Sequence, residues 1–483
     1  MKLKDLTDEI AVEQFNGSWD IEIAGISYDS RKIKPGNAFV CIEGYRTDGH
    51  QYVLDAEKKG ASVIIAQKPV VSALPVLYTE DTRLALAQMA KRFYRNPAKN
   101  FKLIGITGTN GKTTVTYLIK SILEKQGYTV GLIGTNQNMI GTQVLPSEHT
   151  TPESLELYAM FAEMASRGAQ YVVMEVSSHA LELKRVGGCE FETAVFTNLT
   201  QDHLDFHGDM ESYFQAKQRL FSMCRKAVIN TDDIYGKRLA AAAECELLSY
   251  GVDSDADITA SNLNISARGV TFGIEYQKRG YLARLGIPGK FSVYNALAAV
   301  GAAISMGISL KNATDGLAGA HGVKGRAEVL PTGTSYTVMI DYAHSPDGLK
   351  NILSTIREFA GGRIITVFGC GGDRDRTKRP LMGQMAAKLS DFLIVTSDNP
   401  RSEDPEAIIR DILPGVEKEN CDFVQITSRR DAIAYALRMA QPHDIILLAG
   451  KGHETYQILK DKTIHFDERE VVAQLLAEMD KTK

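Results

Sequence analysis

The chain has 483 residues, too many for one hydrophobic core, so about three domains are expected. Hydrophobic residues at 44% and charged residues at 24% suit a globular protein, and a net charge of −4 argues against general nucleic-acid binding. There is no apolar run of about 18 residues for a membrane span; the N-terminus M-K-L-K-D-L-T-D-E-I lacks an apolar signal segment, and the six cysteines are scattered without a C-x-x-C, so a cytoplasmic protein with reduced thiols is expected.

Residues 1–98 read as a small α/β unit. Strands are expected at Ala38–Ile42, Ser62–Ala66 and Val76–Tyr78, with a helix over Val53–Gly60 that ends at its glycine. Two polar clusters, Asp29-Ser30-Arg31 and Gly44 to His50, are rich in turn residues. A helix over Thr82–Tyr94 stops before Asn96-Pro97, a breaker that marks a domain boundary.

Residues 99–322 are built on one stretch, K-L-I-G-I-T-G-T-N-G-K-T-T at 102–114. Leu103–Ile106 ends a buried strand, Thr107–Lys112 is a tight loop, and Thr113 opens a helix with an apolar face. A glycine-rich turn between strand and helix aims backbone N–H groups and a helix N-terminus at one point, which suits a polyphosphate. Lys112 adds a charge for the β- and γ-phosphates, and Thr113 a hydroxyl for Mg²⁺. The spacing departs from G-x-x-x-x-G-K-[ST], because Ile106 stands where the first glycine belongs.

Apolar strands alternating with helices predict a parallel sheet covered on both faces. After Thr129–Ile133 comes T-T-P-E at 150–153, which predicts a helix with Thr151 as N-cap and Pro152 at its first position. Tyr171–Glu175 is an apolar strand with a carboxylate at its C-terminal end, where open α/β sheets bind ligands; Glu175 stands where a Mg²⁺ ligand is needed. Strand Ala194–Asn198 runs into L-T-Q-D-H-L-D-F-H, whose two histidines and two aspartates make a metal or phosphate candidate. Glu211–Phe221 is a helix carrying Lys217, which composition leaves open as a surface charge, the default for a lysine, or an active-site group. A β-rich stretch, Leu247–Leu285, precedes a turn at 286–291 and a small-residue helix opened by Tyr294-Asn295.

Residues 323–483 read as a further α/β domain with strands Thr337–Ile340, Arg363–Phe368, Asp391–Val395 and Asp444–Leu448. The loops after them are D-Y-A-H-S-P, G-C-G-G-D-R-D-R, T-S-D-N-P-R and A-G-K-G-H-E. All four should open on one edge of the sheet, as an arginine-rich mouth for anionic or zwitterionic substrates.

These motifs together resemble the Mur ligases, which add amino acids to the cell-wall precursor. The resemblance covers nearly the whole chain. It rests on Asp29-Ser30-Arg31, the loop at 108–114, T-T-P-E, M-E-V-S-S-H-A-L at 174–181, N-L-T-Q-D-H-L-D-F-H at 198–207 and Ala216-Lys217. It continues through Tyr294-Asn295, Gly325-Arg326, D-Y-A-H at 341–344, G-G-D-R-D at 371–375, D-N-P-R at 398–401 and G-K-G-H-E at 450–454. The departure from the usual phosphate-loop spacing is itself a feature of the family.

The resemblance implies three domains: one for the UDP moiety, a central ATPase, and a Rossmann-like one receiving the amino acid. Gly108, Thr109, Asn110, Gly111, Lys112, Thr113 and Thr114 would cradle ATP, with Asn295, Arg326 and Asp341 on the nucleotide. Thr113 and Glu175 would share one Mg²⁺; Glu175, His203 and a carbamylated Lys217 (N6-carboxylysine) would surround a second, since a carbamate supplies the hard oxygens that Mg²⁺ prefers. Ser30, Tyr45, Arg46 and Thr47 would hold the uridine end of UDP-N-acetylmuramoyl-L-alanyl-D-glutamate, and Thr150, Thr151, Ser177 and Arg185 its diphosphate and peptide.

The added amino acid is expected to be meso-2,6-diaminopimelate, held by Arg374, Asp398, Asn399, Pro400, Arg401, Gly450 and Glu454. A monomer is expected. The rivals are a lysine-adding member or folylpolyglutamate synthetase on the same scaffold and, outside enzymes, a nucleotide-gated binding switch. Glu175, His203 and Lys217 speak against a switch, which needs no second metal.

Overall fold

A computed structural model describes residues 1–44, 47–145, 150–320 and 322–480. Among the described residues three larger sheets follow one another along the chain, with a two-stranded sheet of Tyr456–Leu459 and Lys462–His465 near its end. By compactness the chain divides into two units, Met1–Ile258 with Ala298–Ala313, and Thr259–Leu297 with Thr314–Lys483.

The first sheet has the strand order Val12–Phe15, Val76–Thr79, Val63–Ala66, Asn37–Val40, Gly25–Ser27. Only Val12–Phe15 runs antiparallel to its neighbour. Its central strands, V-I-I-A and N-A-F-V, are buried on both faces, as a parallel sheet covered by helices requires. Helix Thr82–Phe93 is capped by Asp81, whose carboxylate accepts from the N–H groups of Arg83 and Leu84.

The central sheet of the first unit runs Glu246–Gly251, Cys224–Asn230, Phe191–Phe196, Lys102–Thr107, Tyr171–Glu175, Val130–Ile133. These six strands are parallel. The expectation of a purely parallel sheet fails at one edge, where the short strands Asn138–Ile140 and Gln143–Leu145 add antiparallel. A two-residue turn at Gly141-Thr142 joins them, and such a hairpin needs no crossover helix. The strand Lys102–Thr107 lies between Tyr171–Glu175 and Phe191–Phe196, so their C-terminal ends meet beside the phosphate loop.

Two helix starts differ from expectation. The helix after T-T-P-E begins at Ser154 with Glu153 in the N-cap position, not Thr151. The Thr151 hydroxyl instead donates to the Glu175 carbonyl at 2.9 Å and accepts from Ser177 N at 3.1 Å, a tertiary pairing that outcompetes a local cap. The small-residue helix spans Lys290–Ser305 and so starts four residues before Tyr294, inside the expected turn. Lys217 lies on helix Met210–Gln218, which passes at Arg219 into a 3₁₀ turn.

In the second unit, strands Gly269–Tyr276 and Arg279–Leu285 pair antiparallel. Its main sheet runs Glu328–Val329, Thr337–Asp341, Ile445–Ala449, Ile364–Phe368, Phe392–Val395, Asp422–Gln425. All but the first edge strand are parallel. The loops after Asp341, Phe368, Val395 and Ala449 therefore leave the same edge. Among the described residues no helix is long and apolar enough to cross a membrane.

Candidate active site

The phosphate loop joins strand Lys102–Thr107 to helix Lys112–Lys125. Gly108 has φ +147°, and a Cβ there would collide with the Thr197 hydroxyl, so only glycine lets the loop lie so close to the next strand end. That strand end grips the loop. Thr109 N donates to the Asn198 carbonyl at 2.8 Å, Asn110 N to Asn198 Oδ1 at 2.9 Å, and the Thr197 hydroxyl to the Asn110 carbonyl at 2.6 Å. Thr109 Oγ1 donates to the Thr200 carbonyl and lies 3.2 Å from the Tyr213 hydroxyl. Thr113 and Thr114 are buried in the first turn of the helix.

Two lysines converge on one backbone oxygen. Lys112 Nζ donates to the carbonyls of Gly108 at 3.0 Å and Thr109 at 2.9 Å, and Lys217 Nζ donates to the same Gly108 carbonyl at 2.8 Å. Lys217 is only 2% exposed, which corrects the surface position expected of a lysine. It forms no ion pair among the described residues and lies 4.6 Å from the Tyr213 ring centroid. Burial first, then the neighbouring Lys112 ammonium, pushes its pKa well down.

Glu175, 1% exposed, is held by Thr135, whose N–H donates to Oε1 at 2.9 Å and whose hydroxyl donates to Oε2 at 3.1 Å. The Thr135 hydroxyl also meets that of Thr150 at 3.0 Å. His203 sits at φ 53° on the turn before helix Leu204–His207, a backbone position seldom taken by a non-glycine residue. Its ring stands edge-on to that of His179, with centroids 4.9 Å apart.

The remaining residues expected at the UDP-bearing substrate lie in the same unit. Ser30 is buried in a turn capped by the Asp29 carboxylate. Thr47 accepts at its carbonyl from Gly44 N, while Tyr45 and Arg46 lie outside the described residues. The Ser177 hydroxyl caps helix Ser178–Glu182. Arg185 is engaged: Nη1 donates to the Thr151 carbonyl at 3.0 Å, and Nε lies 2.9 Å from Glu153 Oε1. Arg83 pairs with the same Glu153 and donates from Nη2 to the Glu43 carbonyl at 3.1 Å.

In the second unit, Asn295 is buried in helix Lys290–Ser305. Asp341 ends a strand and accepts from Ala327 N at 2.7 Å and Ala343 N at 2.9 Å, which fixes the turn carrying Arg326. The Arg326 guanidinium lies 5.4 Å from the Tyr342 ring centroid.

The amino-acid residues gather on the loops after Phe368, Val395 and Ala449. Asn399 donates to Glu454 Oε2 at 2.8 Å, and the fully buried Lys451 donates to both Asn399 Oδ1 and Glu454 Oε2 at 3.1 Å. Asp398, Asn399 and Pro400 are buried, and Gly450 lies against the Asp398 carboxylate. Arg401 has φ 52°; its Nη1 donates to the Gly372 carbonyl at 2.7 Å, and Nε and Nη2 have no partner among the described residues. Arg374 stays exposed on the neighbouring loop.

Three family models match in succession: "Mur ligase family, catalytic domain" over residues 22–94, "Mur ligase middle domain" over 106–303 and "Mur ligase, glutamate ligase domain" over 325–452. The chain belongs to the Mur ligase family. This Mur ligase is 51% identical over 465 residues to a UDP-N-acetylmuramoyl-L-alanyl-D-glutamate–2,6-diaminopimelate ligase of Clostridium botulinum, covering 95% of this chain and 96% of the relative. It is also 51% identical over 484 residues to the ligase of that name in Caldanaerobacter subterraneus subsp. tengcongensis, with 100% of each chain covered. A solved structure of a ligase with the same name superposes with a TM-score of 0.75 at 32% identity, covering 99% of both chains.

Several partners in this Mur ligase escaped the sequence reading. Thr135 orients Glu175, while Thr197, Asn198 and Thr200 bind the phosphate loop. Each follows the C-terminal end of a parallel strand, and that position was the available signal. The donor set also fits Mg²⁺ in one respect. Burial and the neighbouring Lys112 disfavour the ammonium form of Lys217, and a carbamate there would place an anion beside Lys112. Among the described residues no three His, Cys, Asp or Glu side chains form a metal-ready group.

Proposed function

We propose that this chain is an ATP-dependent ligase that adds meso-diaminopimelate to UDP-N-acetylmuramoyl-L-alanyl-D-glutamate in peptidoglycan precursor synthesis. The observation that carries the reading is full-length similarity at 51% identity to ligases of that name, with the phosphate loop and the D-N-P-R and G-K-G-H-E loops intact. We place the domain boundaries near residues 98 and 322.

A carboxylate acylates poorly because its leaving group is poor. Transfer of the γ-phosphoryl group from ATP gives an acyl phosphate, and the amine of the incoming amino acid then displaces phosphate. Lys112 stabilises charge on the transferring group, where positioning and electrostatics carry most of the catalysis. Thr113, Glu175, His203 and a carbamylated Lys217 would hold Mg²⁺, which would supply charge neutralisation for the transferring phosphoryl group. Ser30, Thr47, Thr150, Thr151, Ser177 and Arg185, with Tyr45 and Arg46, hold the UDP-bearing substrate. Asn295, Arg326 and Asp341 hold the nucleotide.

The test is phosphate release from ATP in the presence of the UDP-muramoyl dipeptide. Adding meso-diaminopimelate should raise turnover strongly, and lysine should not. Release that ignores every amino acid would point to a switch instead. A second expectation concerns Lys217. Lys217→Ala should lose most activity, and small carboxylates in the buffer should restore part of it by filling the carbamate's oxygen positions. Full activity of the alanine variant without added carboxylate would remove the carbamate from the mechanism.

A further inference from the structure

We propose that Arg379, which touches no substrate, is a positioning residue that sets selectivity for the second carboxylate of the amino acid by fixing the geometry of Arg401. The inference rests on the proposed diaminopimelate site and deepens it. Arg379 lies on helix Lys378–Leu389 and is 1% exposed. Its guanidinium is shared between two loops. Nη2 donates to Glu403 Oε1 at 2.7 Å, and Nη1 donates to Glu403 Oε2 at 2.9 Å and to Asp411 Oδ2 at 2.8 Å. Nη2 also reaches the Gly371 carbonyl at 3.4 Å.

Glu403 closes the link. Its Oε1 accepts from Asp373 N at 2.6 Å, so one Arg–Glu pair ties the G-G-D-R-D loop to the segment just after Arg401. The pairing holds the Glu403 carboxyl down at about 2, so it stays ionised throughout the physiological range. Asp373 adds a second tie, accepting from the Ser402 hydroxyl at 2.5 Å and from Ser402 N at 3.2 Å. Between these ties Gly372 N donates to the Asn399 carbonyl at 2.9 Å. The approach is so close that a Cβ on Gly372 would run into the Pro400 carbonyl.

The consequence falls on Arg401. Its guanidinium rests on the Gly372 carbonyl through Nη1 alone, which leaves the Nε/Nη2 edge as a planar fork for a carboxylate. A bidentate fork discriminates only if its plane is fixed, and the plane here is set by a backbone carbonyl that the Arg379–Glu403 pair holds in place. Lysine in place of Arg379 keeps the charge but makes one contact where the fork makes several, so the two loops would lose their common register.

The experiment uses the full-length enzyme with the variants R379K, E403Q, the double variant, and R401A as reference. Steady-state constants are measured for ATP, the UDP-muramoyl dipeptide, meso-diaminopimelate and lysine, together with thermal midpoints. R379K and E403Q should each raise KM for diaminopimelate by about tenfold to a hundredfold, the scale of a small misplacement of a binding group. The diaminopimelate-to-lysine ratio of kcat/KM should fall by a similar factor, with KM for ATP unchanged. The double variant should be no worse than the more damaged single one, since both remove the same tie.

A proportional loss for both amino acids, or an unchanged diaminopimelate KM, would make Arg379 purely structural and overturn the inference. E403Q decides alone if R379K does not fold. R401A separates the layers: an unaltered ratio in R401A overturns the underlying site, whereas a collapsed ratio in R401A with normal ratios in R379K and E403Q overturns the positioning role alone.

Discussion

Replacement of Lys112 by alanine should abolish phosphoryl transfer and leave a folded protein. The side chain contributes a charge at the one point where the transferring phosphoryl group must be stabilised. Losing a single fixed donor to a developing oxyanion costs about a hundredfold to a thousandfold in kcat, and a full charge in place of a neutral donor should cost at least as much. The structural cost is small by comparison. Lys112 is half-buried, and its contacts with the Gly108 and Thr109 carbonyls lie within its own loop. Its ammonium disfavours the charged form of the buried Lys217 and would face the anionic carbamate proposed there. Thermal unfolding should therefore change little while phosphate release falls to background. Near-normal turnover by the folded variant would remove Lys112 from the chemistry.

The parts of the fold legible in the sequence were those whose signals are local. The phosphate loop was readable because its glycines, its lysine and its threonines lie within seven residues of one another, at 108–114, between an apolar strand and a helix. The four C-terminal loops were readable because parallel strands put every following loop on one edge. What failed was tertiary. Thr151 looks like a helix cap, but its hydroxyl is spent on the Glu175 backbone, and no local pattern records that choice. Lys217 reads as a surface charge, yet it is buried against Gly108, 109 residues away along the chain. Arg379 does not stand out in its local sequence, Lys378-Arg379-Pro380, because its partners, Glu403 and Asp411, come together only when two loops and two helices pack. The antiparallel edge at 138–145 was missed because two three-residue strands carry too little periodicity to register.

Arg401→Ala should lose diaminopimelate addition far more than ATP binding. Lysine and meso-diaminopimelate differ by one carboxylate on the far carbon, so preference for the latter needs a fixed cation. Arg401 meets that need in three ways. It is half-buried; it has no carboxylate partner among the described residues; and it is held at φ 52°, a strained backbone position that the surrounding structure must sustain. Arg374, the other candidate cation, remains exposed, where solvent screens its charge, so it should contribute less. Glu454 would pair with the distal ammonium, although Lys451 already neutralises part of its charge. That leaves most of the discrimination to the carboxylate and to Arg401. Truncating one partner of a charge-assisted pair costs about 2–5 kcal/mol, which is roughly 30-fold to several thousand-fold in selectivity. The measurement is kcat/KM for each amino acid, with ATP affinity as internal control. Equal efficiency of the unmodified enzyme with lysine and with meso-diaminopimelate would show that no such fork is at work, because a site built around a bidentate arginine leaves that cation unpaired when lysine binds.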